Sequence, residues 1–429
     1  MKIFKKILYI FFIFLNTLYA KDYIQIKDLN GNKVYVYKNE LTEEQKIILL
    51  KFFNTIRRNM KLPLLSYNKK LEIIALLHAN YIYQTGNISH TEDKNDIPYF
   101  GKNPSDRGKF IKYNNNFIGE VFAINSKNVK TSIFGLLSAP YHRLSILSPE
   151  YNSIGIATIK DKSNNRYITV IEFSNKYLEN YCGKFKYPNN KGLCNSNIKP
   201  NIRYIFSYLQ NYPSIFIYPY KNEKKINTVF FTEIPNPLLN FPGIKMTGYP
   251  ITVTINPFHY KNIKNINCYL NGNKMLKLSY LNDKNKKLKK YEFVFFPLHR
   301  LNFNSKYNVE CIDNKGNKYY TYFKTLHYKD YINVDNYKFL RLKIKNPFIL
   351  YSKNNVFNGY SYKSTISKNY LMLYPVITEG FYVIYSYIPG NVWLSLKGIN
   401  GNKKIFISFV NWYCLKQDIV FFYHKFLIK

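Results

Sequence analysis

The chain changes texture near residue 213, and this change limits the folds open to it. Between residues 37 and 176, segments of helical and strand period alternate. "LTEEQKIILLKFFNTIRRNM" opens with Thr42 and Gln45 at capping-box spacing and then sets Leu49, Phe52, Phe53 and Ile56 along one face. "YNKKLEIIALLHANYIYQTG" repeats the pattern and stops at Gly86, and "NVKTSIFGLLS" reads as a shorter third helix. "SIGIATIK" and "RYITVIEFSN" are strands joined through the turn-rich "DKSNN". Beyond 213 the helical period fades. Short aromatic strands such as "SIFIYPY", "YPITVTINP", "KYEFVFFP" and "KYYTYFKT" recur between breaks like "NGN" and "NKGN", the rhythm of a β-sandwich. The expected fold class is α+β, with a mixed domain over 37–176, a linker over 177–212, a sandwich over 213–327 and a further β-rich block over 328–429. At 429 residues there is enough chain for each domain to bury its own core.

The start, "MKIFKKILYIFFIFLNTLYA", places Lys2, Lys5 and Lys6 before an apolar run and closes on Ala20. That is the pattern of a cleaved secretory signal peptide over residues 1–20. A membrane anchor is the weaker reading, because Asn16 and Thr17 interrupt the run. The expected location is secreted or periplasmic. In such a compartment the cysteine pairs Cys182/Cys194 and Cys268/Cys311 read as disulfides, with Cys414 left over. The net charge of +38 is unevenly spread: residues 1–180 hold 26 Lys+Arg against 15 Asp+Glu, and the remainder 37 against 10. In a cytosolic protein this would suggest nucleic acid. In an exported one, anionic envelope polymers or lipid headgroups are the better-matched partners, and much of the Lys, Asn, Ile and Tyr usage follows the composition of an AT-rich genome. The many tyrosines then read as strand surface rather than as a binding stripe.

The mixed domain has few groups able to carry chemistry. His78 sits in the apolar stripe of its helix and reads as core. His90 lies in the polar loop "GNISHTED". Glu120, in "FIGEVFA", is a single acid in an apolar run and requires a partner if buried. His142 follows the third helix. There is no HExxH, no GxSxG and no cysteine in this region, so spacing alone supports neither a zinc hydrolase nor a nucleophilic one.

The stretches "NTIRRNMKLPLLSYNKKLEIIALLHANYI", "ISHTED", "GKNPSDR", "GEVFA" and "SAPYHRLSILSPEYNSIGIA", in that order over roughly residues 45–175, resemble the bacterial branch of the CAP superfamily of cysteine-rich secretory, antigen 5 and pathogenesis-related proteins. The resemblance implies an α-β-α sandwich whose cleft gathers two histidines and two acids. By motif His90, Glu120 and His142 are three of these. Asn54 and Arg57 match an Asn-x-x-Arg feature of structural character. The second acid is missing, since no Asp or Glu occurs between Glu120 and Glu150. Two imidazoles and one carboxylate, His90, His142 and Glu120, are the expected ligands of a zinc ion if one binds; hydrogen bonding among the three is the alternative. "FFPLHRLNFNSKYNVECIDNKGNKYYTYFKT" resembles a bacterial immunoglobulin-like module with Tyr307 as its corner tyrosine. The functional expectation is a cleft that binds a small ligand, a lipid or an envelope component. A metal-dependent hydrolase and a structural or adhesive envelope protein are the alternatives.

Overall fold

Thr42 accepts a hydrogen bond from the backbone of Gln45, whose side chain bonds back to the Thr42 N–H, so the capping box read from the sequence starts helix α1, Glu43–Asn59. The computed structural model describes residues 22–184, 193–194, 202–376 and 380–410; the signal peptide read at 1–20 and Cys414 lie outside them. The described residues divide into two compact units. The first runs to Leu137 and resumes from Ser145 to Tyr212; the second is Ser138–Leu144 together with the chain from Pro213 onward.

In the first unit a hairpin of β1, Tyr23–Lys27, and β2, Lys33–Tyr37, precedes α1. It is followed by β3, Ser66–Tyr67; α2, Lys69–Thr85; α3, Pro104–Phe110; β4, Gly119–Ser126; and α4, Val129–Ser138. After α5, Pro140–Ile146, whose residues through Leu144 belong to the second unit, come β5, Ser153–Asp161; β6, Arg166–Ser174; and α6, Lys176–Gly183. The sheet order is β3-β5-β6-β4, with β5, β6 and β4 antiparallel and β3 parallel to β5. Side-chain alternation sorts the two faces of the sheet. Ala157, Ile159, Ile168 and Val170 join Ala75, Leu77, Ala79 and Ile82 of α2 in one core. Thr158 and Thr169 face the other way, where Thr169 meets Ser132 of α4. The sheet therefore lies between helices, the α-β-α arrangement expected.

Two sequence features now have physical causes. Gly155 of "SIGIA" lies under the first turn of α2, and a Cβ there would overlap the backbone of Leu71 and Glu72, so only glycine lets helix and strand approach. Arg57 is fully buried without a carboxylate: its guanidinium donates to the carbonyls of Pro63, Ile146, Ser148 and Tyr151 at 2.6–3.0 Å. Asn54 exchanges hydrogen bonds with the backbone of Leu65. The Asn-x-x-Arg pair thus fastens loops to α1. Helix α3 was not read from the sequence as a helix, although Asn103 caps it and Pro104 stands in its first turn, where the missing N–H costs nothing.

The second unit is built of strands: β7, Ile215–Tyr218; β8, Glu223–Ile226; β9, Ile251–Ile255; β10, Ile266–Leu270; β11, Asn273–Lys274; β12, Leu276–Ser279; β13, Glu292–Phe296; β14, Lys306–Asp313; and β15, Lys318–Thr325. They form two sheets, β11-β10-β14-β15-β8 and β12-β13-β9-β7. The Tyr307 hydroxyl accepts the Asn302 backbone N–H at 2.9 Å, the corner contact expected of it. From Tyr331 to Val410 a second pair of four-stranded sheets encloses its own core of Leu342, Leu350, Tyr382, Leu394 and Ile407. Both expected disulfides are formed. Cys182 bonds Cys194, and Cys268 bonds Cys311 across the paired strands β10 and β14.

Candidate functional site

Gly86 ends α2 in the left-handed conformation (φ +72°), and the chain then turns through a polar loop that carries His90. The His90 side chain is 45% exposed, and its Nδ1 lies 2.7 Å from Glu120 Oε1. Glu120, on β4, is almost wholly buried; its partner is Arg107 of α3, whose Nη2 donates to Glu120 Oε2 at 2.5 Å. This answers the requirement that a lone acid in an apolar strand be paired. Burial alone would raise the Glu120 pKa. The charge of Arg107, followed by those of His78 and His90, outweighs that effect and holds the carboxyl well below the ordinary range.

The network extends inward. His78 is buried as expected for a core residue, yet it is not inert: Nδ1 meets Glu92 Oε1 at 3.0 Å, Nε2 meets the Ser89 carbonyl at 2.9 Å, and Glu120 lies 3.6 Å away. Glu92 also accepts the Phe100 backbone N–H at 2.7 Å. Glu172 is the cross-strand partner of Glu120 on β6 and is completely buried. Among the described residues no donor is hydrogen-bonded to either of its carboxyl oxygens, and Arg107 Nη2 is 3.9 Å away. Burial, and then the neighbouring Glu120 charge, push the Glu172 carboxyl well above its usual range. Arg107, Glu92 and Glu172 were not among the residues singled out from the sequence. For Glu172 the signal was present, a lone acid in the apolar "RYITVIEFSN", the same signal that marked Glu120.

His142 belongs to the second unit. It follows the third helix, as read from the sequence, and lies in α5, a short helix that begins at Pro140. Its Nδ1 is 2.8 Å from Glu233 Oε2, and the other Glu233 oxygen accepts the Tyr141 backbone N–H at 3.0 Å. The Tyr141 hydroxyl donates to Asp283 at 2.5 Å. Arg143 donates to the Pro250 carbonyl at 2.7 Å and lies over the rings of Tyr218 and Tyr249, 5.0 and 4.6 Å from their centres. The His-Arg pair is therefore held by Glu233 and a tyrosine clasp.

The donor chemistry of the first unit does not suit zinc. Both oxygens of Glu120 are engaged, one by a guanidinium and one by an imidazole N–H, and an adjacent cation opposes a second one. Among the described residues no group of three or more His, Cys, Asp or Glu side chains is arranged to hold a metal. What the arrangement does offer is one half-exposed imidazole whose Nδ1–H is fixed on a buried carboxylate. Nε2 is then an acceptor in the neutral ring and a donor in the protonated one. The Phe122 ring, 4.7 Å from that of His90, gives the polar nitrogen an apolar neighbour.

Residues 50–173 match the family model of the cysteine-rich secretory protein family, CAP, and this segment is a CAP domain followed by β-rich domains. Among solved structures, the chain is similar to an outer surface protein from Borrelia burgdorferi at 24% identity and a TM-score of 0.27, covering 32% of this chain and 96% of that one. It is similar to an extracellular protein containing an SCP domain from Bacillus anthracis at 21% identity and a TM-score of 0.26, over 33% of this chain and 46% of that one. A cysteine-rich secretory protein from Staphylococcus aureus gives 16% identity and a TM-score of 0.22, over 38% and 68%. No curated protein matches the chain. No helix among the described residues is long and apolar enough to cross a membrane, which leaves strand-built barrels unaddressed.

Proposed function

We propose that the protein is exported and that its CAP domain binds a small ligand or envelope component, lipids included, at His90 beside Phe122. The observation that carries this reading is the geometry of His90: a half-exposed imidazole set on a buried, charge-balanced carboxylate, next to an aromatic ring. A fixed ring loses little freedom on binding, and its polar nitrogen and apolar neighbour suit an amphipathic molecule. Export is supported by the basic-then-apolar first twenty residues and by two disulfides, which persist in oxidising compartments. Catalysis is not part of the proposal. His90 and Glu120 supply a base and its orienting acid, but a hydrolase also needs a nucleophile or an activated water held against the base, and among the described residues no hydroxyl or thiol is hydrogen-bonded to His90.

The test is mass spectrometry of organic extracts and of the native full chain. A molecule should co-purify with the wild type and be depleted in His90→Ala, with the melting temperature unchanged. Equal content in the two proteins, or none in either, overturns the reading.

A further inference from the structure

A second candidate site lies wholly within the β14–β15 sandwich and does not depend on the reading of His90. On its five-stranded sheet, alternate residues of β14 and β15 face solvent. The register sets Asn308 opposite Tyr322 and Glu310 opposite Tyr320, with Tyr269 of β10 beyond Glu310. A hollow of about 470 Å³ opens on this face, lined by Tyr320, Tyr322, Asn271, Asn308, Glu310 and Lys221, among others.

The aromatic rings here are held in place rather than loose. The Tyr320 hydroxyl donates to Glu310 at 2.8 Å, while the residue remains 65% exposed. Lys306 lies over the Tyr322 ring, 4.3 Å from its centre. The turn bearing Asn271 is tied to β14 by two bonds of 2.8 Å, from Asn271 N–H to the Asn308 carbonyl and from Asn308 N–H to the Asn271 side-chain oxygen. An aromatic face fixed before binding costs little entropy to use. The charge is one-sided. Among the described residues the hollow is lined by one carboxylate, Glu310, which Lys318 already neutralises at 3.2 Å, and by exposed Lys221, and exposed Lys306 and Lys324 stand opposite one another on the same paired strands. Lys221 makes no ion pair among the described residues.

Flat aromatic faces stack on the C–H faces of sugar rings, side-chain amides bond hydroxyl groups, and ammonium groups bond carboxylate or sulfate. We propose that this hollow is a binding subsite for an acidic glycan, with sugar rings stacked on Tyr320 and Tyr322, hydroxyls on Asn271 and Asn308, and the anionic group on Lys221. A neutral glycan would leave the lysines unused, and a polyanion without sugar rings would leave the tyrosines unused. The occupant is therefore identified by the two features together.

The experiment is calorimetry on the full chain with four probes of similar length: a hexagalacturonate, a heparin hexasaccharide, maltohexaose and a glutamate hexapeptide. At least one acidic hexasaccharide should bind, with affinity at least tenfold above maltohexaose and the peptide. The carboxylated and sulfated probes distinguish the two sources of charge. Tyr320→Ala with Tyr322→Ala should weaken that binding at least tenfold, whereas Tyr320→Phe with Tyr322→Phe, which keeps both rings, should retain it within threefold. Lys221→Ala should weaken the acidic probe and narrow its margin over maltohexaose. The proposal fails if neither acidic sugar binds, if the alanine pair binds as the wild type does, or if the peptide or maltohexaose binds equally well.

Discussion

Glu223→Gln should remove a pH dependence of stability that the wild type carries. Glu223, on β8, accepts the Tyr218 hydroxyl at 3.0 Å through one oxygen, and its other, buried oxygen meets no hydrogen-bond geometry with a partner among the described residues. Burial pushes its carboxyl up to about 7, against the opposing effects of the Tyr218 bond, the Arg143 charge and the Tyr220 backbone. The folded protein therefore keeps a proton that the unfolded chain has released. Folded binds more protons than unfolded between the two values, so stability falls as pH rises. The contribution is intact below the unfolded carboxyl range, is lost progressively up to about pH 7, and is constant above it. A shift from the ordinary value of 4.5 to about 7 corresponds to roughly 3 kcal/mol at about 1.4 kcal/mol per unit. Glutamine mimics the protonated acid and can still accept the tyrosine bond. Urea unfolding of the full chain at pH 4.5, 6 and 8, followed by hydrogen exchange at peptides covering β7 and β8, reads the second unit directly. The stability of Glu223→Gln relative to wild type should rise by roughly 3 kcal/mol across that series. A difference that stays constant with pH would refute the assignment of a raised Glu223.

Arg107→Met should destabilise the first unit by about 3–5 kcal/mol by leaving Glu120 buried without its cation, and adding Glu120→Gln should recover much of the loss in thermal melts. Gly155→Ala forces a methyl into the α2 backbone and should cost at least about 1–3 kcal/mol by the same measurement. Replacing Cys268 and Cys311 by serine opens a bridge spanning 43 residues and should cost about 4 kcal/mol in denaturant unfolding.

How much of this was legible depended on the distance between cause and partner. The capping box at Thr42 and the corner tyrosine Tyr307 are local devices whose residues lie within a few positions of one another, and they were readable as written; the need for glycine at 155 comes from Leu71 and Glu72, far away in sequence, and was not. The lone acid Glu120 called for a partner, but although "GKNPSDR" carried part of the family resemblance, nothing in it tied Arg107 to Glu120. Glu233 lies 91 positions from His142, and no pattern could connect them. Motif order placed His90, Glu120 and His142 in one family site. The contacts pair His90 with Glu120 and His142 with Glu233, and Glu233 was not part of that motif.

The seven residues Ser138–Leu144 also bear on how such a chain can be inherited. They are encoded in the middle of the CAP segment, yet Tyr141 and Leu144 pack with Phe230, Leu238, Val294 and Phe296. A genetic crossover at residue 212 would therefore not deliver a self-sufficient module. It would strand Tyr141 and Leu144 without their apolar neighbours and Arg143 without Tyr218 and Tyr249. Recombination that respects the fold must carry 138–144 and the strands beyond 213 together, so the two regions are expected to be transmitted, and to drift, as one hereditary block.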